Sequence, residues 1–203
     1  TINGTTVRLG HDSALSTGTV TINGASTLAS NSGTARTIAN NLVLNANLTL
    51  GQAAGGTGTL TFNGTVDLGG SQRELNTLVT TTLNGVVSNG GIDKAGAGTL
   101  ILTGTNTYSG ATNINAGVLR VSSADALGTT SLVTVATGAR LELAAARAHN
   151  MKKRPILLCM SSSFHARGIH FTAGACAGLT ACSLSTLQNK SALPRSVLRS
   201  CAL

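Results

Sequence analysis

A seven-residue pattern recurs three times in the chain at a fixed spacing. It reads Gly-Thr-Val-Thr-Ile-Asn-Gly at residues 18–24, Gly-Thr-Leu-Thr-Phe-Asn-Gly at 58–64 and Gly-Thr-Leu-Ile-Leu-Thr-Gly at 98–104, with starts 40 residues apart. Within each copy apolar residues alternate with others, the period of a strand with one buried face. Intermediate strands divide each interval roughly in half. One inward column is written Val20/Ile22, Leu42/Leu44, Leu60/Phe62, Leu78/Thr80, Leu100/Leu102, Leu119/Val121 and Leu141/Leu143, with steps of 18 to 22 residues. A second column follows from Thr112/Ile114 and Val133/Val135. A single such unit cannot bury its own apolar stripe, but stacked units cover one another. The expected fold is therefore an all-β solenoid of parallel strands. About seven rungs at ~4.7–4.9 Å make a rod of roughly 35 Å. Gly and Asn at the corners are expected to supply positive φ. The Leu78/Thr80 rung is the weakest member, because Thr80 stands where an apolar residue is expected.

The competing fold is an antiparallel sandwich or barrel. Asn-Gly, the strongest short hairpin signal, occurs at 3–4, 23–24, 63–64, 84–85 and 89–90. Similar strands recur at about 20 and 40 residues, however, and do not flank two-residue turns. If the chain coils in parallel, Arg120 and Glu142 alternate with inward residues and face solvent one rung apart, close enough to pair.

Composition separates two regions. Residues 1–146 carry all six acids and six bases, so their net charge is zero; the remaining eight bases lie in 147–203 and account for the +8. All four Cys, both Met and both Pro are also in that second region, with only three of the 25 Gly. An ordinary segment of this length holds about seven acids. The shift follows directly after the strand at 141–143, and reads as out-of-frame or unrelated sequence that packs irregularly and loosely. The basic balance is thus no nucleic-acid signature of the repeats. Cys159, His165, His170, Cys176 and Cys182 are ligands by type, but they lack the paired Cys-x2–4-Cys spacing of structural zinc. Lys152-Lys-Arg154 is a short charge run, and the apolar stretch after it is too short for a signal peptide.

No apolar run approaches the ~20 residues of a membrane helix. The chain opens at Thr1 without an initiator Met or secretory leader, and is read as a fragment. Catalysis is not expected. The six acids are scattered, whereas glycoside hydrolysis needs two carboxyls ~5–9.5 Å apart. Asp67 and Glu74, with Arg73 beside them, read as a surface cluster, and His11-Asp12 as an exposed corner pair. Gly55-Gly-Thr-Gly58 lacks the Gly-Lys-Ser/Thr of a phosphate loop and reads as a corner. The Thr-x-Thr runs suit outward strand positions. No cofactor or metal is expected.

Residues 91–121 carry a denser motif: Lys94, Gly96, Gly98, Thr99, Leu100, Leu102, Gly104, Asn106, Thr107, Tyr108, Gly110, Thr112, Asn115, Ala116, Gly117 and Leu119. This resembles the passenger-associated β-strand repeat of autotransporters, whose pattern runs Lys-x-Gly-x-Gly-Thr-Leu-x-Leu-x-Gly, Asn-Thr-Tyr-x-Gly, then Asn-Ala-Gly-x-Leu. Residues 124–128 and 138–143 look like its continuation, and residues 1–90 resemble it more loosely. The resemblance implies a right-handed parallel β-helix on the surface of a Gram-negative bacterium. It implies a parent protein with a signal peptide and an outer-membrane barrel, and a role as structural stalk or adhesin toward a host or cell-surface ligand. A carbohydrate-active β-helix enzyme is the alternative, and a remnant without independent function a third reading.

Overall fold

The computed structural model describes residues 1–123, 125–130 and 132–143, together with the backbone of 157–160, 164–166 and 169–171. The early strands are β1 (Thr6–Leu9), β2 (Val20–Ile22), β3 (Ser26–Ser30), β4 (Arg36–Ile38), β5 (Leu42–Leu44), β6 (Leu48–Leu50) and β7 (Leu60–Phe62). Two long strands follow, β8 (Val66–Thr77) and β10 (Val87–Ala95), on either side of β9 (Thr81–Leu83). The later strands are β11 (Thr99–Leu102), β12 (Thr112–Ile114), β13 (Val118–Val121), β14 (Leu132–Val135) and β15 (Arg140–Leu143). Beyond them lie β16 (Leu157–Met160), β17 (Phe164–Ala166) and β18 (Ile169–Phe171).

All pairings among β1 to β16 are parallel, and they stack as a β-solenoid of about six turns. One column runs β1-β3-β6-β8-β10-β12-β14-β16, and another β4-β7-β9-β11-β13-β15. A third column, β2-β5, joins the first where β8 begins. The antiparallel alternative is overturned: Val20 and Ile22 lie beside Leu42 and Leu44 in parallel, not across the Asn23-Gly24 corner. The antiparallel pair β17–β18 aligns His165 with His170. The parallel sheet continues past residue 146, because β16 lies against β14 with Leu157 beside Leu132. The expected loose packing of the tail, and Cys176 and Cys182, lie outside the described residues.

Short strands form because each places two apolar side chains inward around one outward residue, and a polar-Gly corner then turns the chain. Val20, Ile22, Leu42, Leu44, Leu60, Phe62, Leu100, Leu102, Leu119 and Leu141 all belong to one buried cluster. The expected single column nevertheless splits. Leu42 is followed by Val66, whereas Leu60 stands on Arg36 and continues through Thr81, Leu100, Leu119 and Leu141. The sequence period near 20 is shared by every face of the coil, so spacing alone merges faces. This also reduces seven expected rungs to about six turns. The second column, Thr112/Ile114 below Val133/Val135, is found as expected.

The Leu78/Thr80 rung is corrected as well. Leu78 is 39% exposed, while Thr81 and Leu83 point inward between Leu60/Phe62 and Leu100/Leu102. The in-out alternation changes parity at the bend inside β8, between inward Leu68 and inward Leu75, and then runs unbroken through Thr77, Val79, Thr81 and Leu83.

One stack of corner glycines serves a different purpose from the one expected. Gly64, Gly85 and Gly104 stack on one another without positive φ. A Cβ on Gly85 would strike the carbonyl of Gly64, and one on Gly104 that of Gly85. Close approach of successive turns, not backbone handedness, demands glycine there. The neighbouring corner residues hydrogen-bond along the axis. Asn45 Nδ2 donates to Asn23 Oδ1 at 2.9 Å, Asn84 Nδ2 to Asn63 Oδ1 at 2.8 Å and Thr103 Oγ1 to Asn84 Oδ1 at 2.9 Å. Positive φ appears, as expected, at other corners (Gly51, Gly55, Gly96, Gly117 and Gly138), and also at the bend inside β8 (Gly69, Gly70) and at Asn89 in β10, where the register shifts by a bulge.

Candidate functional site

The rung built by residues 92–121 concentrates the motif, and its inward polar side chains are all spent on the backbone or on one another. Lys94 faces inward on β10, between its register partners Leu75 and Ile114, and is 0% exposed. Its Nζ donates to the carbonyls of Ala95 (2.8 Å), Gly96 (2.8 Å) and Ala116 (3.0 Å). Three donors thus meet three acceptors, which is all an ammonium can offer. Burial lowers its pKa from 10.5 to about 8, so it still carries its proton at neutral pH. Gly96 and Gly117, both at positive φ, form the turns that aim these carbonyls. A side chain on Gly117 would collide with the carbonyls of Gly96 and Gly98.

Asn106 links three successive turns. Its Oδ1 accepts from Val87 N–H on the turn below at 2.8 Å, and its Nδ2 donates to the carbonyl of Ala126 on the turn above at 2.6 Å. It therefore replaces strand pairing where the column that began with β2 has no named strand. Tyr108, wholly buried, fills the same corner and shares a hydrogen bond with Thr112 Oγ1 at 3.0 Å. Burial pushes its hydroxyl pKa upward, opposed by the Thr112 bond. Gly110 packs on Gly90, where a Cβ would approach the Gly90 carbonyl.

The other motif residues separate by face. Leu100, Leu102 and Leu119 are core; Thr107 and Asn115 are exposed; Thr99 is half-buried on β11, Gly98 precedes that strand and Gly104 lies in the corner stack. Arg120 and Glu142 are paired as expected: Nε and Nη2 reach Oε2 at 2.8 and 2.7 Å, with side chains 48% and 33% exposed.

The acids fall differently from the sequence reading. Arg73 does not serve Asp67 or Glu74. Its Nε donates to the carbonyls of Leu44 and Leu68, holding the β8 bend, while Asp67 Oδ1 accepts from Gly69 N–H and Asn89 Nδ2. Glu74 instead lies in register with Asp93 on the outer face. Gln72 and Asn113 both donate to Asp93 Oδ1, at 2.9 and 2.6 Å, and Thr134 donates to Asn113. That juxtaposition was missed, although the 19-residue step from Glu74 to Asp93 matches steps used elsewhere. His11 and Asp12 are exposed: His11 Nδ1 accepts from Ser13 N–H, and Asp12 Oδ1 from Thr37 N–H, 4.0 Å from Arg36. Among the described residues no group of three or more His, Cys, Asp or Glu is arranged to hold a metal.

The fold and its inward polar fittings define a parallel β-solenoid whose distinctive residues hold turn to turn. Residues 92–121 match the family model of the passenger-associated-transport-repeat. With the solenoid, that match fits an autotransporter passenger repeat protein. No curated protein and no solved structure matches the chain.

Proposed function

We propose that this chain is a non-catalytic structural module of a bacterial surface passenger, a stiff stalk that carries binding regions away from the cell. The observation that carries this reading is where the motif spends its chemistry. Lys94 and Asn106 turn inward and join neighbouring turns, while Tyr108 and Thr112 turn inward and bond to each other within one turn, so the repeat's special residues serve the stack. The match to a passenger-associated repeat supports display at the cell surface or outside the cell, in a parent carrying its own export and anchoring parts. The test inserts the chain between an outer-membrane barrel and a binding module of known ligand. The module's reach should grow with the rungs inserted, while the purified chain releases no reducing ends from polysaccharides. A reach independent of rung number refutes the stalk.

The register of Glu74 with Asp93 favours one second reading, a polysaccharide-cleaving face. Two carboxyls on adjacent strands lie near the short separation used by retaining glycosidases, about 5–5.5 Å. Release of reducing ends that is abolished by both Glu74→Gln and Asp93→Asn would establish it in place of the stalk.

A further inference from the structure

The stack has a register problem that its apolar core does not solve. Inward positions along the β3-β6-β8-β10-β12-β14 column read Ser26/Leu28, Leu48/Leu50, Leu75/Thr77, Ile92/Lys94, Thr112/Ile114 and Val133/Val135. All but one of these side chains are apolar or small. Because side chains alternate with period two, a slip of two residues keeps every inward residue inward, and Gly-rich strands specify register weakly. Lys94 is the exception. Its ammonium has hydrogen-bond partners only where the turns after β10 and β12 bring three carbonyls together.

We propose that Lys94 is a register lock: a buried cation that costs the solenoid stability at neutral pH and in return makes the slipped stackings of this repeat inaccessible. In a slipped stack the ammonium would be buried among leucines and isoleucines without acceptors, far more costly than any loss of apolar contact. A buried polar group that fixes register at a cost in stability has precedent in coiled coils.

No acid offsets the buried charge. Leu75 faces Lys94 from β8 and Ile114 from β12, while Glu74 and Asp93 occupy the alternate, outward positions and Arg120 is outward on β13. Tyr108 is the other buried titratable group of this repeat, and it is hydrogen-bonded to Thr112. The charged form is therefore held by carbonyl dipoles alone.

The sign of the pH effect follows. The folded value, about 8, lies below the ordinary 10.5. Between those two pH values the unfolded chain binds the extra proton, and stability rises with pH. The full cost is present below about pH 8 and is relieved by pH 10.5, a change of roughly 300-fold in the folding constant.

The test compares the full chain with Lys94→Met under reducing conditions from pH 7 to 10.5. Whatever offset the three carbonyls stranded by Met leave at pH 7, wild type should gain roughly 300-fold in folding constant relative to Lys94→Met between pH 7 and 10.5. Groups common to both proteins cancel in that difference. Amide hydrogen exchange over residues 92–121 should show one population for wild type and at least two for Lys94→Met. Two outcomes overturn the proposal: a difference between the two proteins that does not change with pH, or a single wild-type exchange pattern in the variant. Wild type alone gives an independent check, because its midpoint must rise between pH 8 and 10; a flat or falling profile refutes the cost.

Discussion

Replacing Asn106 with Ala tests whether a single side chain stands in for missing strand pairing. The substitution removes the bonds to Val87 N–H and the Ala126 carbonyl and leaves both groups buried without partners. Each such loss costs about 1–3 kcal/mol, so Asn106→Ala should destabilise this part of the stack by roughly 2–5 kcal/mol. Asn106→Asp separates the two bonds. An ionised carboxylate can accept from Val87 but cannot donate to Ala126, and its charge would face a carbonyl. Protonation restores a donor, so the Asp variant should recover part of its deficit as pH falls. The assay is denaturant unfolding followed by tyrosine fluorescence. The chain has one Tyr and no Trp, so the signal comes from Tyr108, in the same corner. Loss of less than about 0.5 kcal/mol in Asn106→Ala, within the scatter of surface substitutions, would refute the staple.

Thr81 is wholly buried between Leu60 and Leu100, and its hydroxyl has no partner. Thr81→Val should therefore raise stability by about 1 kcal/mol, and a lower melting midpoint would contradict the inward assignment. Gly85→Ala drives a methyl into the Gly64 carbonyl. A shift of rigid backbone should cost at least ~2 kcal/mol, and a neutral result in chemical denaturation would deny the tight corner. A double-mutant cycle on Arg120 and Glu142 should give ~0–1 kcal/mol, weakened by salt; more than 2 kcal/mol would show a pair better shielded than its exposure allows.

The parallel coil was legible in the Gly-Thr repeats, because alternation marks strands and a period near 20 marks stacking. The Arg120–Glu142 pair was legible for the same reason: parity and a step of 22 residues place both on one face. What spacing does not carry is the face of the coil to which a strand belongs. Leu42 and Leu60 satisfy one arithmetic yet stand in different columns. Parity also fails where a bend inside a strand absorbs a residue, as between Leu68 and Leu75 in β8. Lys94 and Asn106 were legible as motif positions, and Gly85 as part of an Asn-Gly pair, but none of them as a mechanism. Each depends on carbonyls contributed by neighbouring turns, which no local pattern encodes. The bend in β8 hid the Glu74–Asp93 register from a reading that paired acids by nearness in sequence.

The ties at Lys94 and Asn106 also determine how such a rod responds to force. Tension applied at its ends peels the coil one turn at a time, because each turn is held only by its neighbours. A turn of about 20 residues adds ~4.8 Å to the intact rod but releases roughly 70 Å of extended chain when it yields. The yielding front moves easily through turns joined only by strand pairing and apolar contact. It slows where buried side chains cross from turn to turn, as at Asn40 on the carbonyls of Leu15, Ser16 and Gly18, at Ala116 held by Lys94 and at Ala126 held through Asn106 to Val87. A coil so built would lengthen turn by turn under tension, with such ties acting as detents that keep the pull from running through the whole of it.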